Sequence, residues 1–284
     1  MKGSDIKPKY HTTMDKINVI KVGGAVVEDA ASLHELIRQF ATMPGYKVLV
    51  HGGGRSATGM ASRLGIESRM VGGRRITGED MLQVVTMVYG GLVNKRIVAS
   101  LQACGVNALG LTGADMDIIR SHRRKPRPVV MDDGTQEMVD FGYVGDVDRA
   151  DGHRLASLIR TGEGTEAVVP VVAPLTHDGN GNILNTNADT MASTVAKALA
   201  SEFEVTLTFC FEKPGVLADA DDDDSVIPSI NTATYASLRE QGIVSGGMIP
   251  KLDNAFDSIA AGVKRVVITH FSDIQAVQGT VIEA

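Results

Sequence analysis

Two lysines, each set beside paired glycines, are the residues of this sequence best suited to chemistry. Lys21 opens Lys21-Val22-Gly23-Gly24, and Lys251 closes Gly246-Gly247-Met248-Ile249-Pro250-Lys251. Glycines let backbone N–H groups approach an anion with no Cβ in the way, and a helix starting there adds the positive end of its dipole. An ammonium at such a place neutralises phosphate charge. Taken alone, the first loop is also compatible with a tight turn carrying a surface lysine.

A second loop, His51-Gly52-Gly53-Gly54, follows the apolar run Lys47–Val50. Three consecutive glycines between a strand and a helix are a stronger sign of an anion cradle. Residues 52–57 also satisfy G-x-G-x-x-A, the dinucleotide fingerprint, which needs an acidic-ended strand roughly 20 residues on. Residues 65–73 are instead short and broken by glycine, so that reading is weak. His51 reads as a hydrogen-bonded structural residue rather than a base. No G-x-x-x-x-G-K-[ST] is present, which excludes a P-loop. Arg75, in Gly73-Arg74-Arg75-Ile76-Thr77, suits bidentate recognition of a carboxylate, although two solvated arginines would look the same. Asn185-Thr186-Asn187-Ala188-Asp189 opens a helix with two amides and a carboxylate at alternate positions. A helix cap explains one of these three, not all. Two lysines, several glycine-lined helix starts and an aspartate able to hold the lysines are the parts of phosphoryl transfer, which is mostly positioning and charge neutralisation.

These residues need a scaffold that delivers loops to one edge. Short β-branched runs at Ile17–Val22, Lys47–Val50, Ala167–Val172, Glu204–Phe211 and Lys264–Thr269 read as buried strands. Between them, Ala31–Met43, Leu155–Arg160, Ala188–Ser201, Thr232–Gln241 and Pro250–Ala261 read as helices. A further helix is expected from Thr77 and Asp80 to about Cys104, interrupted at Gly90 and Gly91. Alternating strands and helices predict an α/β fold, a three-layer α-β-α sandwich around a mainly parallel sheet, with ligands at the carboxyl ends of the strands. A length of 284 residues fits one large domain with two lobes, and 43% apolar residues suffice for its core. The net charge of −6 disfavours non-specific nucleic-acid binding. Two distant cysteines, no membrane-length apolar run and a polar N-terminus predict a reduced cytoplasmic protein. Asp219–Asp224 reads as a solvated acidic loop.

In order, Lys-x-Gly-Gly, His-Gly-Gly-Gly, Gly-x-Arg-x-Thr, Asn-x-Asn-Ala-Asp and Gly-Gly-Met-x-x-Lys resemble the acetylglutamate kinase branch of the amino-acid kinase family, from about residue 17 to the end. The resemblance implies ATP-dependent phosphorylation of the side-chain carboxylate of N-acetyl-L-glutamate, or of another N-acylglutamate such as N-succinylglutamate, in arginine biosynthesis. It implies that Lys21 and Lys251 stabilise the transferring phosphoryl group and that Asp189 orients them. Gly24 and Gly54 would donate N–H bonds to phosphoryl oxygens. Gly53, Arg75 and Asn185 would hold the acylated amino acid. Mg²⁺ would arrive with ATP, with no metal site of the protein's own. The lobes would be residues 17–174 for the amino acid and dimer contact and 175–284 for the nucleotide, after a polar extension at 1–16. Where the family carries Asp-Val after a strand, this chain has Glu212-Lys213, so Glu212 and Gly215 are candidates on the nucleotide side. The resemblance further implies a homodimer formed through the long helix after Thr77. Pro8 and the thin C-terminal match from Thr269 to Thr280 predict insensitivity to arginine. Carbamate, aspartate and glutamate kinases share the fold, but Arg75 with Asn185 and Asn187 argues against them. A non-catalytic nucleotide or amino-acid sensor would be expected to lack one of Lys21, Asp189 and Lys251. A dinucleotide oxidoreductase is the remaining alternative.

Overall fold

In the first strand, β1 (Lys16–Val22), alternate residues face two different cores: Ile17 and Val19 pack into one, Ile20 and Val22 into the other. Period-two alternation with both faces apolar is what a strand buried on both sides requires. The computed structural model describes residues 14–131, 134–162, 166–246, 248–275 and 279–284. The features expected at Pro8 and Gly247 lie outside the described residues.

From β1 the chain runs through α1 (Gly24–Glu28) and α2 (Ala30–Thr42) to β2 (Tyr46–His51). Next, α3 (Gly54–Arg63) leads to a hairpin of β3 (Met70–Val71) and β4 (Arg74–Arg75). Then α4 (Glu79–Val85), a π-helical stretch at Thr86–Val93 and α5 (Asn94–Ala103) continue into one another. β5 (Ala108–Leu111), β6 (Ile119–Arg123), β7 (Arg127–Val130), β8 (Gln136–Val139) and β9 (Gly145–Ala150) precede α6 (Gly152–Ile159). There follow β10 (Val169–Val172), β11 (Leu175–His177), β12 (Ile183–Asn185), α7 (Ala188–Leu199) and β13 (Glu204–Phe211). β14 (Ser229–Ile230), α8 (Thr232–Glu240), α9 (Met248–Ala260), β15 (Arg265–His270) and β16 (Thr280–Ile282) complete the chain.

Among the described residues, eight strands form the main sheet in the order β14-β16-β15-β13-β1-β2-β10-β5. All neighbours are parallel except β15 and β16. α6, α7 and α9 cover one face, while α2, α3 and the α4–α5 rod cover the other. The expected three-layer α-β-α arrangement around a mainly parallel sheet is therefore the one adopted. No helix among the described residues is long and apolar enough to cross a membrane.

One expectation is corrected. Gly78, not Thr77, caps α4, and the Thr77 side chain is buried and bonded across the fold. The 119–150 segment, for which the sequence pattern predicts no element, holds four strands. β6 and β9 join β11 and β12 in a second sheet, and β7 pairs with β8. β7 and β8 are short and largely exposed, so no apolar alternation marks them. The glycine pair Gly90-Gly91 falls inside the π-helical stretch, where an added Cβ at Gly90 would touch Leu175 at 3.4 Å. Asp219–Asp224 is exposed, with Asp223 paired to Lys213 at 2.8 Å.

Candidate active site

Parallel pairing of β1 with β2 sets Lys21 opposite Val50 and Val22 opposite His51, so both glycine loops leave the sheet side by side. Gly52 N–H donates to Val22 O at 3.0 Å and fixes their spacing. A side chain at Gly52 would place its Cβ 3.1 Å from Gly24 N, and one at Gly53 would meet the Tyr89 ring at 3.0 Å. Only glycine permits this approach. The resulting cleft is lined by Lys21, Gly24, Gly52, Gly53, Gly54, Arg74, Arg75, Tyr89, Asn185 and Asp189, together with Met70, Gly73, Val144, Pro174 and residues 186–188. The N-termini of α3 and α7 open onto it, which makes its floor electropositive.

Asp189 joins the two lysines. Lys21 Nζ lies 2.8 Å from Asp189 Oδ1 in an ion pair. Lys251 Nζ, brought from α9, donates to Oδ2 at 3.1 Å. Burial alone would raise the Asp189 carboxyl; the charges of Lys21 and Lys251 outweigh it and bring the pKa down from 3.8 to about 2. The carboxylate therefore stays ionised and holds two ammonium groups in one place. Lys251 does not itself line the cleft and meets it through Asp189.

His51 is fully buried, and burial pushes its pKa down to about 4 against a bond to Gly52. Neutral at pH 7, it donates from Nδ1 to Gly52 O at 2.7 Å, and its Nε2 accepts from Asn94 Nδ2 at 3.1 Å. Asn94 Nδ2 also donates to Val171 O at 2.8 Å, which fixes that tautomer. Because a trans peptide points its C=O and N–H in opposite directions, holding Gly52 O toward the ring turns Gly53 N–H away from it. His51 is thus a structural residue, as its sequence context implied, but one that orients the glycine loop.

Arg75 is buried, with Nη2 donating to Gly54 O at 2.8 Å and Thr58 Oγ1 at 2.9 Å and Nη1 donating to Ser68 Oγ. Both Nη2 hydrogens are engaged, which leaves Nε and one Nη1 hydrogen for a ligand. Asn185 donates from Nδ2 to Thr77 Oγ1 at 2.9 Å, which leaves its side-chain oxygen free of that bond. In the Asn-x-Asn-Ala-Asp run the roles divide: Asn187 is the cap, accepting from Asp189 N and Thr190 N, while Asn185 and Asp189 face the cleft.

The cleft brings together Lys21, Gly24, Gly53, Gly54, Arg75, Asn185 and Asp189. It does not include Glu212 or Gly215. Glu212 is exposed beyond β13, and Gly215 is buried where an added Cβ would fall 2.9 Å from Thr280 Oγ1, so its glycine serves packing. Sequence reasoning missed Tyr89, which reads as one more apolar-face residue of a helix. Its hydroxyl pKa is raised by burial and opposed by the charge of Arg75. Among the described residues no group of three or more His, Cys, Asp or Glu could hold a metal ion.

The fold and this lysine-glycine cleft define a class: the chain belongs to the amino acid kinase family, whose model matches residues 16–270. Within that class it is 59% identical to the acetylglutamate kinase of Parabacteroides distasonis, over 94% of this chain and 99% of that one. It is also 59% identical to the acetylglutamate kinase of Bacteroides fragilis, over 95% and 97% of the two chains. A solved structure, smu.665 from Streptococcus mutans, superposes with a TM-score of 0.75 at 26% identity, covering 94% of this chain and 98% of that one.

Proposed function

We propose that the chain transfers the γ-phosphoryl group of ATP to the side-chain carboxylate of N-acetyl-L-glutamate or a closely related N-acylglutamate, a step of arginine biosynthesis in the cytoplasm. The observation that carries this reading is the Lys21–Asp189–Lys251 bridge standing beside the glycine loops. The attacking carboxylate is already ionised at pH 7, so no general base is required. Its oxygen forms a bond to the γ-phosphorus while the bond to the bridging oxygen breaks, releasing ADP and an acyl phosphate. Lys21 and Lys251 neutralise charge on the transferring group, and Asp189 keeps both in place. Backbone N–H groups of Gly24 and Gly54 reach phosphoryl oxygens. Gly53, Arg75 and Asn185 seat the amino-acid part of the substrate. Mg²⁺ would enter with the nucleotide, held by phosphates and water, and would supply further charge neutralisation.

Residues 17–174 serve as the amino-acid lobe and 175–284 as the nucleotide lobe, with Glu212 and Gly215 on the nucleotide side. The exposed Met87 and Leu92 of the helical rod, each more than half accessible, support a homodimer contact there. The test is an ATP-dependent hydroxamate assay with acetylglutamate, succinylglutamate, glutamate, aspartate and carbamate side by side. Turnover confined to the N-acylated substrates supports the reading. Turnover of a free amino acid or carbamate, or ATP binding with no turnover of any, refutes it.

A further inference from the structure

The helical rod behind the glycine loops is π-helical over Thr86–Val93 and runs on into Asn94, whose backbone N–H donates to Tyr89 O, five residues back, and to Gly91 O. In an α-helix, residues five apart face directions about 140° apart. The wider π-turn, a feature frequent at functional sites, brings them onto nearly the same face. Tyr89 and Asn94 therefore both meet the second glycine loop. The Tyr89 ring lies against Gly53, where an added Cβ would come within 3.0 Å of it. The Asn94 side chain is buried, and both hydrogens of its Nδ2 are committed, one to His51 Nε2 at 3.1 Å and one to Val171 O at 2.8 Å. Its Oδ1 is buried with no hydrogen-bond partner, against Gly110, where any side chain would collide with it. An unpaired buried acceptor is costly, so the amide is held in this orientation by what its nitrogen bonds. Lys95, the next residue, donates to Gly110 O at 3.2 Å and Arg96 donates to Val27 O, so neither cation competes for the His51 ring.

That nitrogen fixes the place of one proton. A neutral imidazole carries its hydrogen on one nitrogen only. Because Asn94 donates to Nε2, the hydrogen stays on Nδ1, where it donates to Gly52 O at 2.7 Å. The other tautomer would set a bare Nδ1 against that carbonyl oxygen, two acceptors facing each other in a buried site. The Gly52–Gly53 peptide, flanked by glycine on both sides, would then turn over and aim its carbonyl oxygen into the cleft that Gly52 and Gly53 line. We infer that Asn94 is a positioning residue for the phosphoryl transfer: seated by the π-turn, it holds the Nδ1 hydrogen of His51 on Gly52 O and so keeps that carbonyl away from the anionic groups that react in the cleft. This rests on the reading of the cleft as a phosphoryl-transfer site.

The test is Asn94→Asp, read by kcat at saturating ATP and N-acylglutamate and by nitrogen NMR of the His51 ring across a pH series. While the Asp–His pair keeps its extra proton, either the carboxyl O–H donates to Nε2 or the ring carries both hydrogens, and Nδ1 still donates to Gly52 O. Once that proton leaves, the carboxylate draws the remaining hydrogen onto Nε2, because a charged acceptor binds it about twice as strongly as a carbonyl does. The ratio of variant to wild-type kcat should stay within about threefold while Nδ1 is protonated and fall by roughly 10²-fold, the scale of one lost transition-state donor, as the Nδ1–H signal disappears with rising pH. His51→Asn sets an amide nitrogen near the place of Nδ1 and His51→Gln near that of Nε2. The first should therefore keep the higher kcat, although the second is nearer to histidine in volume. Thermal melts confirm that each variant folds, and if Asn94→Asp does not, the two His51 variants decide. A low kcat while Nδ1 is protonated, an unchanged kcat once it is bare, or His51→Gln outperforming His51→Asn overturns the inference and leaves the function standing. A wild type that turns over no N-acylglutamate overturns the proposed function, and the inference with it.

Discussion

Replacing Asp189 by Asn removes one negative charge from between two ammonium groups at 2.8 and 3.1 Å and leaves the shape nearly unchanged. The fall of the Asp189 pKa from 3.8 to about 2 corresponds to roughly 2–3 kcal/mol of net favourable interaction with the ionised form. The Asn amide can accept from one lysine but presents a donor to the other. The Lys21 side chain is 9% exposed and has little room to move, whereas that of Lys251, at 23%, can swing outward. Breaking a buried pair by removing one partner costs about 3–5 kcal/mol. Relief at Lys251 puts the expected loss at the lower end, about 3 kcal/mol. Urea denaturation at a series of pH values reads it as a lower midpoint at constant m-value. The sign of the pH dependence follows from a depressed carboxylate. The stabilisation is complete above pH 3.8 and is lost as pH falls through about 2, so the difference between wild type and variant is flat from pH 8 to 5 and narrows below about 4. In the same variant kcat should drop by about 10²-fold or more, because the lysines are no longer held where charge develops. A variant within about 0.5 kcal/mol of wild type and within threefold in kcat would refute the idea that Asp189 organises the two lysines.

Lys21→Ala and Lys251→Ala should each reduce kcat by on the order of 10²-fold while changing KM far less, as for interactions that strengthen in the transition state; a near-normal kcat removes that lysine from the mechanism. Arg75→Lys should raise KM for the acylated amino acid about 10-fold or more and leave ATP affinity within twofold, because a point charge cannot serve Gly54 O, Thr58 and a ligand together; a fall in ATP affinity instead would invert the assignment of the two ends of the cleft. Light scattering should give a dimer, and an arginine titration should leave activity unchanged; a hexamer whose KM rises with arginine would overturn both expectations.

The runs at 17–22, 47–50, 204–211 and 264–269 were legible as strands because both faces of the sheet are covered, so burial writes continuous apolar segments into the chain. The glycine loops and their lysines were legible for a related reason: close backbone approach and phosphate neutralisation tolerate very few residue types. The exposed strands β7 and β8 left no such mark, because solvent accepts almost any polar residue there. Local sequence also could not divide the labour among Asn185, Asn187 and Asp189. That division depends on which side chain meets the backbone of its own helix and which meets Thr77 or Lys251 from distant segments. The same holds for Arg74 and Arg75, adjacent and identical in type. Only the strand's pleat and the fold around it turn one toward the partners Gly54 and Thr58 and leave the other facing two more arginines. Residue type fixes what a side chain can do, whereas the tertiary structure fixes what it is next to, and the charge balance at this cleft is set by neighbours some 50 residues away in the chain.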